Sequence, residues 1–228
     1  MLTRSTGCFI LRGTMKKKKN AYHHGDLRAA LLETTAKIIM EEGIHKVSMR
    51  ALSNSIGVSR TAPYRHFTDK KSLLCAVAEH GFKLLSAEIK RATNTRGSGV
   101  KRFEKMALAY INFALNNPAY YNLMFGKEMA SDSPPEVLLV AAMAVLEEAV
   151  IVIESCQREG YFRKQDPNML ANVSWSTVHG LASLLIDGQI RSEDKPSGEY
   201  NLVSDDSVNT GVKRLAKSTI KILIKGMK

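Results

Sequence analysis

Apolar residues recur every three or four positions along nearly the whole of this chain, and no convincing segment alternates apolar with polar as a half-buried strand does. A chain patterned this way buries its apolar stripes by packing helix on helix, so the expected fold class is all-α. The spacing predicts a first helix over residues 27–42, capped by Asp26, stopped at Gly43, with Leu27, Leu31, Thr34 and Ile38 on one face. Ser48 is placed to cap a short helix over 49–55, Gly57 to turn the chain, and a second short helix to restart near Ser59 and run to about Phe67. Thr68 or Asp69 then caps a long helix that reaches about Ala92, where the polar, glycine-containing run 93–99 breaks it. Further helices are predicted over 100–116, 118–126, 135–159 and 167–189, with Pro118, Pro134-Pro135 and Pro167 at starts, where a missing N–H costs least. The acidic stretch 192–207 reads as an exposed loop. A last helix over 208–226 carries Val208, Val212, Leu215, Thr219 and Leu223 as one stripe, beside Lys213, Lys217, Lys221 and Lys225. That stripe needs a cover, and few helices remain within one chain to supply it.

The 228 residues, 44% hydrophobic and 24% charged, leave room for a core plus a small second module. The formal net charge of +11 is uneven: residues 1–72 carry +9 and residues 73–228 only +2. A polyanionic partner for the N-terminal end is one expectation; a solubilising basic tail is the other that charge alone leaves open. Cys8, Cys75 and Cys156 are too few and too irregularly spaced for a disulfide framework or a metal site, which fits a reducing cytoplasm. The apolar run 137–146 ends at Glu147-Glu148, short of the ~18–20 residues that cross a bilayer, so no membrane partner is expected. Residues 1–14 are expected to be a disordered tail or an upstream extension, since Met15 opens the basic run 15–19. His23-His24 lacks further ligands nearby, and no metal or other cofactor is expected.

A helix-turn-helix needs a bracing helix, a tight turn and a second helix whose first residues reach base edges in the major groove. Residues 47–67 supply these parts. Ala51, Leu52 and Ile56 make an inner face, Gly57 permits the turn, Val58 packs beneath, and Ser59, Arg60 and Thr61 open the second helix outward. No acidic residue occurs in 48–67, as suits a surface laid against phosphates. Arginine can contact guanine bidentately, whereas Ser, Thr and Tyr hydroxyls suit phosphates or mixed edges. Short helix pairs around a glycine also occur in ordinary helical domains, and spacing alone does not separate the two.

The run Gly57-Val58-Ser59-Arg60-Thr61-Ala62-Pro63-Tyr64-Arg65-His66-Phe67, followed by Lys70 and Leu73-Leu74, resembles the DNA-binding domain of the TetR/AcrR family of bacterial regulators. The resemblance implies a tail over 1–25, a DNA-binding domain over 26–72 and a helical ligand-binding and dimerisation domain over 73–228. It implies that Arg50, Arg60 and Thr61 face the bases while Ser48, Tyr64, His66 and Lys70 hold phosphates. Ser59 and Arg65 complete the candidate set. Many members have Gly-Thr-Leu or a near variant before the tyrosine, where this chain has Thr61-Ala62-Pro63. Proline this close to a helix start is expected to forfeit one bond without breaking the helix. The lysines at 16–19 are similar to basic arms that lie along the minor groove, or are a solubilising tail.

Trp175-Ser176-Thr177-Val178-His179-Gly180 is similar to the Trp-x-x-x-His-Gly signature of one C-terminal subfamily of these regulators, with Gly160-Tyr161-Phe162, Asp166-Pro167 and Ala171 upstream. Family members bind small, often apolar or cationic molecules between these helices. The candidate lining residues are Phe113, Tyr120, Tyr121, Met124, Phe125, Met143, Trp175 and His179, whose other reading is plain core. No phosphate loop, Gly-x-Ser-x-Gly elbow or His-Glu-x-x-His occurs, and Glu147, Glu148 and Glu154 read as the wet side of a helix. The expected protein is therefore a cytoplasmic, nucleoid-associated homodimer that binds double-stranded operator DNA and a small effector, not an enzyme. A helical ligand-binding bundle and a nonspecific nucleic-acid or acidic-membrane binder are its rivals.

Overall fold

The computed structural model describes residues 26–127, 129, 135–190 and 211–228. The lysines at 16–19, His23-His24, Cys8 and the stretch 192–207 lie outside the described residues. Among these residues the chain forms α1 (Leu27–Glu42), α2 (Met49–Ile56), α3 (Lys70–Thr93), α4 (Gly99–Asn116), α5 (Pro118–Phe125), α6 (Glu136–Arg158), α7 (Pro167–Ile186) and α8 (Gly211–Gly226), with no strand.

Caps set the first three starts. Asp26 accepts a 2.9 Å hydrogen bond from Ala29 N–H, Ser48 one of 3.1 Å from Ala51 N–H, and Asp69 one of 2.7 Å from Ser72 N–H. Ser72 Oγ in turn accepts from Asp69 N–H, closing a reciprocal box. α2 ends where Gly57 turns left-handed at φ +82°, letting Gly57 and Val58 both donate to Ser53 carbonyl at 2.9 and 3.0 Å.

The second short helix expected over 59–67 does not form. The chain makes a turn and then a single 3₁₀ turn, Pro63–Arg65. Pro63 has no N–H to give to Ser59, and Ser59 carbonyl accepts instead from Ala62 N–H at 3.0 Å. Arg65 and His66 likewise bond three residues back, to Ala62 and Pro63 carbonyls at 3.2 and 3.0 Å, so the tighter helix persists. The proline breaks the α-helix that was expected to start near Ser59 and to absorb it.

α3 is the spine. It packs on α1 at its beginning and on α4, α5 and α6 along its length, burying Leu73, Val77, Phe82, Leu85 and Ile89. α4 lies between α3, α6, α7 and α8. Its start sits so close to α6 that a Cβ on Gly99 would stand 3.0 Å from Cys156 backbone nitrogen, so any other residue there would push α6 back by a few tenths of an ångström. Gly99 N–H donates to Glu159 at 2.7 Å, which first among several bonds holds that carboxyl below its usual pKa.

The expected shortage of cover for the last helix is corrected in part. Val212, Ala216 and Ile220 of α8 are buried against the chain's own α4 and α7, while Ile222 stays 73% exposed. α7 is apolar enough, by length and composition, to cross a membrane, with a mean hydropathy of 1.2. One face packs inward through Leu170, Ala171, Val178 and Ala182; the other exposes Met169, Val173 and Leu184.

Candidate nucleic-acid interface and internal cavity

The turn after α2 is held from beneath. Pro63, Val47, Leu52 and Phe67 are buried, and the Arg28 guanidinium lies 5.6 Å from the centre of the Phe67 ring. Above that floor Ser48, Arg50, Ser59, Arg60, Thr61, Tyr64, Arg65 and His66 are all exposed. Tyr64 is 58% exposed, a large apolar ring left in water. Ser48 Oγ spends a lone pair on the cap of α2 and keeps its hydrogen as a donor. Ser59 and Thr61 hydroxyls meet at 3.2 Å. The ninth candidate, Lys70, differs from the rest: half-buried, it donates from Nζ to Ile44 carbonyl at 2.9 Å, tying the α1–α2 connection to the start of α3. Arg28 was not legible as part of this region, because nothing in the sequence says that α1 passes over Phe67.

A cavity of about 340 Å³ lies between α3, α4, α6 and α7, with Phe125 of α5 at its edge. Phe82, Phe103, Tyr110 and Trp175 give it aromatic walls, and Met106 and Met143 its thioethers. Among the described residues that line it none is charged. A larger groove of about 640 Å³ between α3 and α6 carries Glu79, Lys83, Lys90 and Glu136 and stands open to water. Being open and charged, it lacks the enclosed apolar wall of a small-molecule site.

One end of the cavity is polar. Trp175 Nε1–H donates to Tyr110 hydroxyl at 3.1 Å, which lies 3.3 Å from Tyr121 hydroxyl and 3.2 Å from His179 Nδ1. Tyr121 hydroxyl is 2.6 Å from His179 Nδ1. Burial pushes the Tyr110 phenol far up and Tyr121 up to about 12, the latter partly offset by its bond to Tyr110. Burial also holds the His179 imidazole below its ordinary value, so the ring is neutral at pH 7. In the Nε2–H tautomer the neutral ring accepts at Nδ1 from Tyr121, the shortest contact, and the hydroxyls and indole then form one chain of donors with each hydrogen committed.

Of the eight candidate lining residues, Phe125, Met143 and Trp175 line the cavity. Tyr121 and His179 stand behind Tyr110 and hold it. Phe113 is buried at 1% exposure in α4, Met124 abuts Gly81, and Tyr120 packs on the His80 ring at 5.8 Å, so these three lie outside it. Phe82, Ile89, Phe103, Met106, Tyr110 and Ser174 also line the cavity and were not among the candidates. The spacing of Phe103, Met106 and Tyr110 on one face of α4 was the signal available for half of them.

The family model described as bacterial regulatory proteins, tetR family, matches residues 31–77, and that described as tetracyclin repressor-like, C-terminal domain, matches residues 103–203. The nucleoid occlusion factor SlmA of a Marinomonas species is 26% identical over 119 residues, 52% of this chain. The match spans 58% of that relative's length. A solved structure of a protein with unknown function from Rhodococcus superposes with a TM-score of 0.74 at 28% identity, covering 92% of this chain and 99% of that one. The transcriptional regulator FadR from Bacillus subtilis, solved in complex with stearoyl-CoA, superposes with a TM-score of 0.67 at 10% identity, covering 88% and 99%, a likeness of fold.

Proposed function

From the premise that this chain belongs to the TetR family of bacterial regulatory proteins and is a DNA-binding transcription regulator, we propose that it works as a homodimeric, ligand-relieved repressor of a palindromic operator. The observation that carries the reading is the acid-free exposed surface of residues 48–67 set on a buried floor. In this reading Arg50, Arg60 and Thr61 meet base edges, while Ser48, Ser59, Tyr64, Arg65 and His66 position the backbone. Lys70 has three ammonium hydrogens; one is given to Ile44 and two remain for a phosphate. The domain boundary falls inside α3, which begins at the reading head and ends in the cavity wall.

A second copy would cover the exposed apolar face of α7 and Ile222 of α8 and set two reading heads on two half-sites. The cavity supports an apolar effector over a cationic one, because no carboxylate among the described residues lines it. Phe82 of α3 and Phe125 of α5 meet edge to face at 5.4 Å in its wall, and α5 packs on α1 as well as α3. A ligand that wedges these rings apart favours a second arrangement of α1 and α3, hence a different spacing of the reading heads.

Selection of bound fragments from random DNA tests the reading. The expected result is one palindrome, with Arg60→Ala losing about 1–3 kcal/mol at one base position per half-site. Sequence-indifferent binding, or an Arg60→Ala loss equal on all sequences, contradicts it.

A further inference from the structure

The cavity between α3, α4, α6 and α7 has a defined volume and a wall whose hydroxyl and indole hydrogens are already given. Its volume of about 340 Å³ is roughly eleven times the ~30 Å³ share of one water in the liquid, so it holds about eleven non-hydrogen atoms. Ser174 hydroxyl donates to Leu170 carbonyl at 2.6 Å and Trp175 indole to Tyr110 at 3.1 Å, while Tyr110 hydroxyl faces Tyr121 and His179. A ligand acceptor seated there finds each of these hydrogens already given, a ligand donor finds only hydroxyl lone pairs, and an ion would lose its hydration without a charged partner. Met143 and Trp175 line the cavity and are also 53% and 41% exposed, which makes them its mouth.

We infer that the effector offers this protein an uncharged hydrocarbon moiety of about eleven non-hydrogen atoms, inserted between Met143 and Trp175, with any polar head left outside at that mouth. The inference rests on the reading of the chain as an effector-responsive regulator and names the chemistry of its ligand. Selectivity then lies in length. Each methylene buried raises affinity about fourfold until the cavity is full, and a longer tail gains nothing further.

Trp175, the only tryptophan in the chain, reports from the mouth itself. Its fluorescence is followed while the full chain is titrated with straight-chain alcohols from hexanol to tetradecanol. Affinity is expected to climb about fourfold per carbon to about eleven carbons and then level or fall. Ala149→Leu adds three carbons to the wall and should move the break about three carbons shorter. Affinity that still climbs at tetradecanol, binding by none of the alcohols, or an unmoved break in a folded Ala149→Leu variant overturns the inference. Should that variant not fold, the length profile of the unaltered chain decides alone. Random-DNA selection on the same preparation separates the two claims. A selected palindrome without alcohol binding leaves the regulator standing and removes this ligand class. A length break near eleven carbons without a palindrome supports the ligand class and removes the regulator.

Discussion

Burial keeps the His179 imidazole below its ordinary pKa of 6.5, and that depression gives the folded state a pH dependence of known sign. Well above pH 6.5 the ring is neutral folded or unfolded and contributes no slope. As pH falls below that value the unfolded chain takes a proton before the folded one does, so stability is full above the window and lost as pH drops through it. His179→Asn keeps an acceptor for Tyr121 and removes the titration. Denaturant melts between pH 7.5 and 5 should therefore show a shallower acid loss in His179→Asn than in the unaltered chain; equal slopes contradict the buried neutral ring. Trp175 and His179 were legible as a pair because four residues apart on a helix is one face. Their partner Tyr110 was not, since a tyrosine on an apolar helix face gives no sign of which neighbouring helix its hydroxyl will meet.

At the scale of elements, starts were legible and one interior was not. Asp26, Ser48 and Asp69 mark where α1, α2 and α3 begin because each supplies a side-chain acceptor for otherwise orphaned N–H groups. These bonds are local, so sequence alone carries them. Pro63 is different. Whether a proline near a helix start is absorbed or breaks the helix depends on which bonds the next residues adopt, and here they adopt the three-residue pattern around a buried ring. Pro63→Ala restores the missing N–H and should let the segment wind toward an α-helix, raising the helical signal. Releasing the proline constraint on the unfolded chain costs about 1 kcal/mol or less. The bases selected from random DNA are expected to change, because Arg60 and Thr61 are re-aimed by the rewound turn. An unchanged preference would show that this turn does not set specificity.

At the scale of the whole chain, charge and the open apolar residues of α7 and α8 fall in different parts of the sequence. The N-terminal 72 residues hold +9 of the net +11, and the apolar residues left open on α7 and α8 lie in the C-terminal part of the chain. The charge division was plain from sequence; which apolar residues stay uncovered was not, because that depends on how much of α8 its own α4 and α7 hide. Ile222 is 73% exposed, so Ile222→Glu should leave the protomer folded. At a twofold interface it would bury an unpaired carboxylate from each copy at a cost of about 2 kcal/mol or more. Sedimentation is expected to shift toward monomer, with operator affinity falling alongside; a dimer of unaltered strength would place the interface elsewhere.

The most direct measurement is operator affinity in the presence and absence of decanol, with Trp175 fluorescence read in the same samples to establish that the cavity is filled. A coupling of about 1–3 kcal/mol between the two sites should weaken operator binding roughly 5–150-fold as the cavity fills. Operator affinity that stays constant while Trp175 reports a saturated cavity would contradict the ligand-relieved repressor.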